Sequence, residues 1–163
     1  PFSKKLCGKF RPGHFESVVD VLDRFIKIIR PNKIFLGEKD MQQLKIIDIF
    51  VKQNYKKIKV VACKTVREKN GIAKSSRNIL LLNKEKKIAS KIYHLIKNKK
   101  KYLINKKFSL ESIKKEIKNI GVKNIDYLEI ININRISKPY SRSINYKIFI
   151  AYYLGTTRII DNI

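Results

Sequence analysis

The strongest constraint on the fold is a strand–helix–strand pattern near the start of the chain. Residues 33–36 and 59–63 are two short runs of β-prone apolar residues, and the second run is expected to be buried. Between them, Leu44, Ile47 and Val51 repeat at the spacing of one helix face. Two strands joined by a helix through short connections indicate a parallel sheet with helices on its faces. Because two strands are too few for such a sheet, the segment is predicted to be part of a larger one.

The helices beside these strands are predicted with their ends. An amphipathic helix over residues 15–30 ends before Pro31, which cannot continue it. The next helix is predicted to begin at Asp40, with Gln43 three residues later at the spacing of a capping box. The apolar face of the first helix is predicted to contain Val18, Leu22, Phe25, Ile26 and Ile29.

The pattern changes after residue 65. Residues 65–78 are polar and without a period, which predicts a long ordered loop of the kind that is often functional. A helix is predicted over residues 84–98, and a second one is capped by Ser109 and ends at Gly121. Helices followed by strands indicate a small α+β domain with an antiparallel sheet, so the chain is predicted to divide into residues 1–65 and 66–163. The strands are expected at residues 126–134, 144–154 and 157–160.

The formal net charge of +25 raises nucleic-acid binding as one alternative. Lys supplies 30 of the 38 basic residues and is accompanied by 28 Ile and 13 Asn, three residues encoded by A/T-rich codons. A mutational bias of the genome would give this enrichment, whereas a dedicated binder more often enriches Arg. The dense run at residues 97–101 is interpreted as the solvated end of a helix. No nucleic-acid partner is therefore expected.

Other features bear on the cellular setting. Cys7 and Cys63 lack partner spacing and are interpreted as reduced cysteines of a cytoplasmic protein. The sequence contains no run of about eighteen apolar residues, so no membrane span is predicted and no membrane partner is expected. Because the chain begins with Pro1 and its only Met is Met41, it is interpreted as a piece of a longer protein.

Two segments are candidates for chemistry. Gly37, Lys39 and Asp40 lie where a strand ends and a helix begins, the position at which open α/β sheets bind ligands. Gly37 can take a positive φ that lets a ligand approach the backbone, and Lys39 supplies a mobile charge. Asp40 could cap the helix or accept hydrogen bonds from ribose hydroxyls, and the spacing favours the cap. The second segment, residues 74–77, places two hydroxyls beside an Arg, which suits phosphate oxygens but is also found in ordinary turns.

Taken in order, the motifs of the chain resemble those of the pantoate–β-alanine ligase family. They are RPGHF at 11–15, GEKDMQQL at 37–44, VRE at 66–68, GIAKSSRN at 71–78 and YLGTTRIIDN at 153–162. The similarity runs through the whole chain, and RPGHF, GEKDxQQL and SSRN together are highly specific.

The resemblance implies a two-step reaction. ATP adenylates the carboxylate of pantoate with release of pyrophosphate, and the amine of β-alanine then attacks the adenylate to give pantothenate and AMP. Mg²⁺ accompanies the ATP, and no metal ligands are expected within this chain. The implied fold is a Rossmann-like nucleotidyltransferase domain, of which residues 1–65 would be the carboxyl-terminal part. A smaller α+β domain, residues 66–163, would close over the nucleotide in a cytosolic homodimer.

The resemblance also implies residue roles. Lys39, Ser75 and Arg77 would be catalytic, since they contact the phosphates. The ATP-binding residues would be Gly37, Lys39, Asp40, Val66, Lys74, Ser75, Ser76 and Arg77, with Gly37 and Asp40 at the ribose and Val66 at the adenine. Gln43 would hydrogen-bond pantoate, whose dimethyl group would lie near Val18, Leu22, Phe25 and Leu36.

The sequence departs from the family pattern in two respects. Lys74 stands where the family usually has an apolar residue against the adenine. The family's HxGH-type motif would lie upstream of Pro1, so the chain alone is expected to be inactive. A different nucleotidyltransferase of the HIGH type and a basic nucleic-acid-binding module remain the alternative functions.

Overall fold

A computed structural model describes residues 2–105, 109–133 and 146–163. The chain separates into two compact units, and the change from one to the other falls between Lys64 and Thr65. Each unit has its own sheet and its own core. In the described part of the chain, no helix is long and apolar enough to cross a membrane.

The first unit is built on a two-stranded parallel sheet, as the strand–helix–strand pattern predicted. Strand β1 (Lys33–Gly37) pairs with β2 (Lys59–Cys63), and helix α3 (Met41–Asn54) connects them. A short helix α1 (Cys7–Phe10) and the long α2 (His14–Ile29) come before the sheet. Its core contains Ile26, Ile47 and Val51, against which partly buried side chains of α2, β1 and β2 pack.

The exposure of several apolar side chains in the first unit corrects two predictions. Ala62 and Cys63 of β2 are exposed although the strand was expected to be buried. Phe25 and Ile29 of α2 are 54% and 67% exposed although both were expected on the inner face. The physical reason is that no described element covers these side chains. Phe35, which points away from the core in the alternation of β1, is 65% exposed for the same reason.

The start of α3 corrects a further prediction. Asp40 occupies the N-cap position, but its side chain makes no capping hydrogen bond. Residues Glu38–Asp40 instead form a 3₁₀ turn that leads directly into the helix. The capping box with Gln43 is therefore absent, and the Asp40 carboxylate is left for another partner.

The second unit packs two helices against a three-stranded antiparallel sheet, as predicted. The helices are α4 (Asn83–Ile104) and α5 (Leu110–Ile120), and Ser109 caps α5 by accepting a hydrogen bond from the Ser112 N–H at 3.0 Å. The sheet order is β3 (Ile125–Asn132), β4 (Tyr146–Leu154) and β5 (Thr157–Asn162). The predicted strand residues 134, 144 and 145 lie outside the described residues. The core is formed mainly by aliphatic side chains, among them Ile92, Ile96, Ile113, Ile117 and Ile148.

Helix α4 is six residues longer than predicted at its carboxyl end. Leu103 in its last turn is buried, and Lys99 binds the Glu116 carboxylate of α5 at 2.6 and 2.8 Å. The lysine run at residues 97–101 therefore lies within α4 rather than at its end, and Lys97 and Lys101 are exposed to solvent as predicted. The high density of lysines suggested that the helix ends there. Leu103, the buried residue that extends α4, follows the lysine run in the sequence.

Candidate functional site

The first group of predicted site residues lies at the carboxyl end of β1. Gly37 is the last residue of the strand and is paired in register with Cys63 of β2. Its φ is −71°, so the expected positive φ is not adopted, because the chain leaves the strand directly into the 3₁₀ turn. A Cβ at this position would meet no atom within 4 Å. The lack of a side chain at Gly37 thus leaves open space rather than relieving backbone strain.

Lys39 and Asp40 form an ion pair beside this open space. The Lys39 Nζ lies 3.3 Å from the Asp40 Oδ1, and the two side chains are 17% and 49% exposed. Because Asp40 does not cap the helix, its half-exposed carboxylate can accept hydrogen bonds from a ligand hydroxyl. An ammonium and a carboxylate acceptor at the end of a parallel strand suit a phosphorylated ligand.

The two glutamines of α3 have different environments. Gln42 is buried, and its Oε1 accepts a hydrogen bond from the Cys7 N–H at 3.0 Å. Its Nε2 donates to the carbonyls of Phe2 and Lys5 at 2.9 and 2.7 Å. Gln42 therefore fixes the first turns of the chain onto α3, a role that sequence analysis missed. Consecutive helix residues point about 100° apart, so Gln43 projects elsewhere and is only partly buried.

The apolar residues assigned to the pantoate dimethyl group fall into two places. Val18, Leu22 and Leu36 pack against the first unit's core. Phe25 lies with Leu22 in a cleft of about 280 Å³ between α2 and β1, which Leu36 and Gln43 do not line. Val18, Leu22 and Leu36 thus pack on one core, whereas Phe25 is 54% exposed and shares only the cleft with Leu22. The cleft is also lined by Ile26, Ile29, Pro31 and Ile34.

The RPGHF segment begins helix α2. Gly13 has a φ of 77°, and its carbonyl accepts hydrogen bonds from both the backbone N–H and the hydroxyl of Ser17 at 3.0 Å. Phe15 is buried, and the Arg11 guanidinium lies 2.9 Å from the His14 Nε2. The motif therefore sets the position of the helix in the first unit.

The predicted loop after residue 65 is an ordered hairpin-like segment of the second unit. Arg67 and Ala73 form an antiparallel bridge, and the Val66 carbonyl accepts a hydrogen bond from the Lys74 N–H at 2.9 Å. Gly71 has a φ of 88°, and a Cβ there would lie 2.2 Å from the ring of Tyr93. Only glycine fits this turn, because both the backbone angle and the ring contact exclude a side chain.

Arg67 joins this segment to strand β5. Its guanidinium binds both carboxylate oxygens of Asp161 at 2.7 and 2.9 Å, and it also donates to the carbonyls of Gly71 and Asn162. It stacks over Tyr93 with 4.4 Å from Cζ to the ring centre. Partial burial lowers the pKa of Arg67, but the hydrogen bonds and charge of Asp161 outweigh this and raise it. This pair could not be predicted from the two motifs, because its residues lie 94 positions apart in the sequence.

The second group of predicted site residues follows this segment. Ser75 precedes a 3₁₀ turn (Ser76–Leu80), and its hydroxyl accepts a hydrogen bond from the Arg77 N–H at 3.3 Å. The side chains of Lys74, Ser76 and Arg77 are exposed. Val66 is 63% exposed. Two cations and two hydroxyls on one short turn can bind an oxyanion such as a phosphate.

Asn78 supports this turn from below. It is 7% exposed, and its Nδ2 donates to the Glu68 Oε1 at 2.8 Å and to the Ala73 carbonyl at 3.0 Å. Asn78 belongs to the GIAKSSRN motif at residues 71–78, but no role was predicted for it. The sequence does contain one indication of this role. Asn78 stands between Arg77 and the apolar Ile79, and a buried Asn side chain at such a position needs hydrogen-bond partners.

A metal site was not expected within this chain. Among the described residues, no group of three or more His, Cys, Asp and Glu side chains could hold a metal ion. The groups that could bind an anionic ligand are Lys39 in the first unit and the residues 74–77 in the second.

Comparison with known proteins identifies relatives along the whole chain. The family model described as pantoate-beta-alanine ligase matches residues 1–163. Pantothenate synthetase of Caldicellulosiruptor saccharolyticus is 36% identical over 164 residues, which cover 97% of this chain and 58% of the relative. Pantothenate synthetase of Sulfurihydrogenibium sp. is 37% identical, with 99% of this chain and 59% of the relative covered.

Two solved structures are similar to the chain. One is the pantoate-beta-alanine ligase of Francisella tularensis complexed with beta-gamma ATP and beta-alanine, with a TM-score of 0.79 and 32% identity over 99% of this chain and 54% of that one. The other is pantothenate synthetase of Thermus thermophilus, with a TM-score of 0.83 and 27% identity over 100% of this chain and 60% of that one. The chain thus spans about 58% of the length of the curated relatives it matches.

Proposed function

The chain belongs to the pantoate–β-alanine ligase family, and on this basis we propose that it is the carboxyl-terminal portion of an enzyme that condenses pantoate with β-alanine. The reaction consumes ATP, passes through a pantoyl adenylate, and gives pantothenate, AMP and pyrophosphate. The observation that carries the proposal is a match of the family model to residues 1–163, which includes both candidate groups. A solved relative complexed with beta-gamma ATP and beta-alanine supports the choice of substrates.

From the family resemblance, Lys39 and, separately, the turn with Ser75, Ser76 and Arg77 are each proposed to bind phosphates of ATP. Attack of a carboxylate on a phosphate brings two anions together, so their charge must be masked where it builds up in the transition state. Lys39 and Arg77 supply that positive charge, and the Ser hydroxyls donate hydrogen bonds. Ser76 and Arg77 are exposed on a short turn and can do this without a large rearrangement, whereas Lys39 is 17% exposed and paired with Asp40.

The nucleoside is proposed to contact residues beside the phosphate groups. Gly37 leaves open space at the strand end, and Asp40 offers a carboxylate to the ribose hydroxyls because it does not cap α3. Val66 contacts the adenine through its backbone, and Lys74 lies next to the base. The exposed ammonium of Lys74 is compatible with a position at the rim of the base rather than beneath it.

Mg²⁺ is proposed to arrive with ATP. Its ligands would be phosphate oxygens and water, as is usual for this ion, and Lys39 and Arg77 fit such a site because they neutralise the remaining phosphate charge. Bound there, the ion would withdraw charge from the phosphates during adenylate formation.

Pantoate is proposed to bind the first unit. Gln43 donates or accepts a hydrogen bond at the polar end of the substrate, and Val18, Leu22 and Leu36 form an apolar surface for its methyl groups. Phe25 is the fourth proposed contact and lies in the neighbouring cleft. β-Alanine, the second substrate, is assigned to no residue of this chain.

The two compact units are proposed to be the two domains of this part of the enzyme. The first would be the carboxyl-terminal part of a Rossmann-like domain, and the second the smaller domain that closes over the nucleotide. We further propose that the complete enzyme is a cytoplasmic homodimer with small-molecule substrates and without a nucleic-acid or membrane partner.

The test is substitution of the two cations in a full-length protein that carries this chain. Lys39→Ala and Arg77→Ala should each lower pantoyl-adenylate formation by about a hundredfold or more, with little change in folding. The measurement is exchange of labelled pyrophosphate into ATP, with exposed Lys57→Ala as a matched control. Exchange at the unsubstituted rate in both variants would show that the phosphate assignment is wrong.

A further inference from the structure

We propose that Asn78 is a positioning residue: its buried carboxamide holds Ser75 and Arg77 in the conformation that binds phosphate, with Glu68 as its fixed acceptor. The inference rests on the proposed function, because it assigns a role relative to the phosphate-binding turn. Nothing in the motif itself requires an amide at this position. The requirement comes from the contacts that the side chain makes.

The carboxamide of Asn78 uses its nitrogen twice. One hydrogen bond goes to the Glu68 carboxylate at 2.8 Å and the other to the Ala73 carbonyl at 3.0 Å. An amide nitrogen has two protons, so both donors are used. Only Asn has this donor pair on so short a side chain, and the residue is more than nine-tenths buried, so a lost bond is not replaced by water.

The backbone of Asn78 closes the turn above the side chain. Its N–H donates to the Ser75 carbonyl at 3.0 Å, and its own carbonyl accepts from the Leu81 N–H at 3.3 Å. The Ser75 hydroxyl in turn accepts from the Arg77 N–H. Asn78 therefore fixes both ends of the turn that presents the Ser75 hydroxyl and the Arg77 side chain.

The acceptor of this bond is itself anchored to the sheet. Glu68 follows Arg67, whose guanidinium is bound to Asp161 of β5 at two points. The Glu68 N–H also donates to the Ile72 carbonyl at 2.8 Å. A chain of contacts thus runs from β5 through Arg67 and Glu68 to Asn78, and it connects an exposed turn to a rigid core.

Loss of the bond is expected to affect ligand binding more than folding. Asn78 is not part of the hydrophobic core cluster of the second unit, whereas its hydrogen bonds hold the turn. If the turn adopts its binding conformation only about one-tenth of the time, the apparent Kd for a phosphate ligand rises about tenfold. A residue that only stabilised the fold would change the unfolding midpoint and leave the Kd of the folded protein unchanged.

The experiment uses a full-length protein that carries this chain, with ATP as the probe, and follows binding by NMR at the amide signals of residues 75–77. In Asn78→Asp the side chain keeps its size but places a second carboxylate against Glu68. We expect at least a tenfold weaker ATP affinity and faster hydrogen exchange of the Arg77 amide, with β3–β5 protection retained. Glu68→Ala should act in the same direction, and Glu68→Gln, which keeps an acceptor oxygen, should restore the parent affinity. Asn98→Asp, the same change at an exposed site of α4, is the matched control.

The outcomes separate this inference from the proposed function. If Arg77→Ala weakens ATP binding while Asn78→Asp and Glu68→Ala leave it unchanged, the positioning role is wrong and the phosphate assignment stands. If Arg77→Ala has no effect on ATP binding by the full-length protein, both are wrong. A fall of the unfolding midpoint in both variants with an unchanged Kd would make Asn78 a structural residue only.

Discussion

Asp40 shows how one residue can satisfy two interpretations of a sequence. Its spacing to Gln43 is that of a capping box, and the helix does begin directly after it. The carboxylate nevertheless pairs with Lys39, because the preceding 3₁₀ turn changes the direction in which the side chain leaves the backbone. Spacing could not distinguish these cases, since it carries no information on the backbone angles before the helix.

Long-range pairs between charged residues were equally inaccessible to sequence analysis. Arg67 and Asp161 stand in two motifs that were both recognised, and their side chains are 20% and 11% exposed. Local spacing rules connect residues within about four positions, whereas this pair depends on how β5 is placed against the segment after residue 65. The motifs could be found from the sequence, and their contact could not.

We predict that Asp161→Asn destabilises the second unit by about 2 kcal/mol, because it leaves the largely buried Arg67 guanidinium without its anion. The free energy of unfolding from urea titration, followed at a β-sheet signal, measures the change. Glu111→Gln removes the exposed partner of Lys114 and should leave the midpoint nearly unchanged. Equal midpoints for Asp161→Asn and the parent would show that the bidentate pair contributes nothing to stability.

At the scale of elements, local patterns located the helices and strands well. Strand β1 and helix α5 have the predicted bounds within one residue, since Gly37, Ser109 and Gly121 mark their ends. Burial was predicted less well, as Phe25 and Ala62 show. An apolar pattern states which face could be buried, but whether an element covers that face depends on the rest of the sheet. The length of α4 was missed for a related reason, since Leu103 packs through tertiary contacts.

The contact between α2 and the end of α3 gives a prediction on pH. Asp23 of α2 accepts hydrogen bonds from Lys27 and from the Tyr55 hydroxyl, and these bonds lower the pKa of Asp23 below 3.8. The same bond to Asp23 raises the pKa of Tyr55 above 10.0. A lowered carboxyl pKa stabilises the fold at pH values above about 3.8. This stability is lost as the pH falls through the pKa of Asp23 in the folded state. A raised Tyr pKa stabilises the fold at pH values below about 10. This stability is lost as the pH rises through the pKa of Tyr55 in the folded state.

Asp23→Asn should therefore be less stable than the parent chain at pH 7, and the difference should shrink at pH 2.5. Urea midpoints of both proteins at the two values, followed at a signal from the first unit, test this. Tyr55→Phe removes the hydroxyl without changing the net charge and should also lower the midpoint at pH 7. A difference between parent and Asp23→Asn that is the same at both pH values would contradict the assignment.

At the scale of the whole molecule, the first property to account for is the charge of +25. If it reflects codon bias, binding to duplex DNA should be weak, independent of sequence, and abolished by moderate salt, because only unspecific phosphate contacts contribute. Titration of labelled duplexes of different sequence between about 50 and 200 mM salt measures this. A sequence-specific complex that survives physiological ionic strength would mean that the basic residues serve a nucleic-acid partner.

The two units differ in how much core each has. The first buries Ile26, Ile47 and Val51 in its cluster and leaves Phe35 on an uncovered sheet face. The second buries a continuous aliphatic cluster between two helices and three strands. Buried apolar area is the main source of stability, so residues 66–163 are expected to be the more independently stable part. This expectation bears directly on what the chain can do alone.

We predict that residues 1–163 alone have no measurable ligase activity and bind ATP only weakly. The chain spans about 58% of its curated relatives, and residues 1–163 contain no HxGH-type motif. Without that motif the pentacoordinate phosphate lacks part of its electrostatic stabilisation, and the open sheet face near Phe35 does not exclude water. The assay is AMP release with ATP, pantoate and β-alanine. The positive control is the same chain fused behind the amino-terminal segment of the Thermus thermophilus relative. Turnover by residues 1–163 close to that of the fusion would show that the preceding segment is dispensable and that the phosphate-binding groups described here suffice for catalysis.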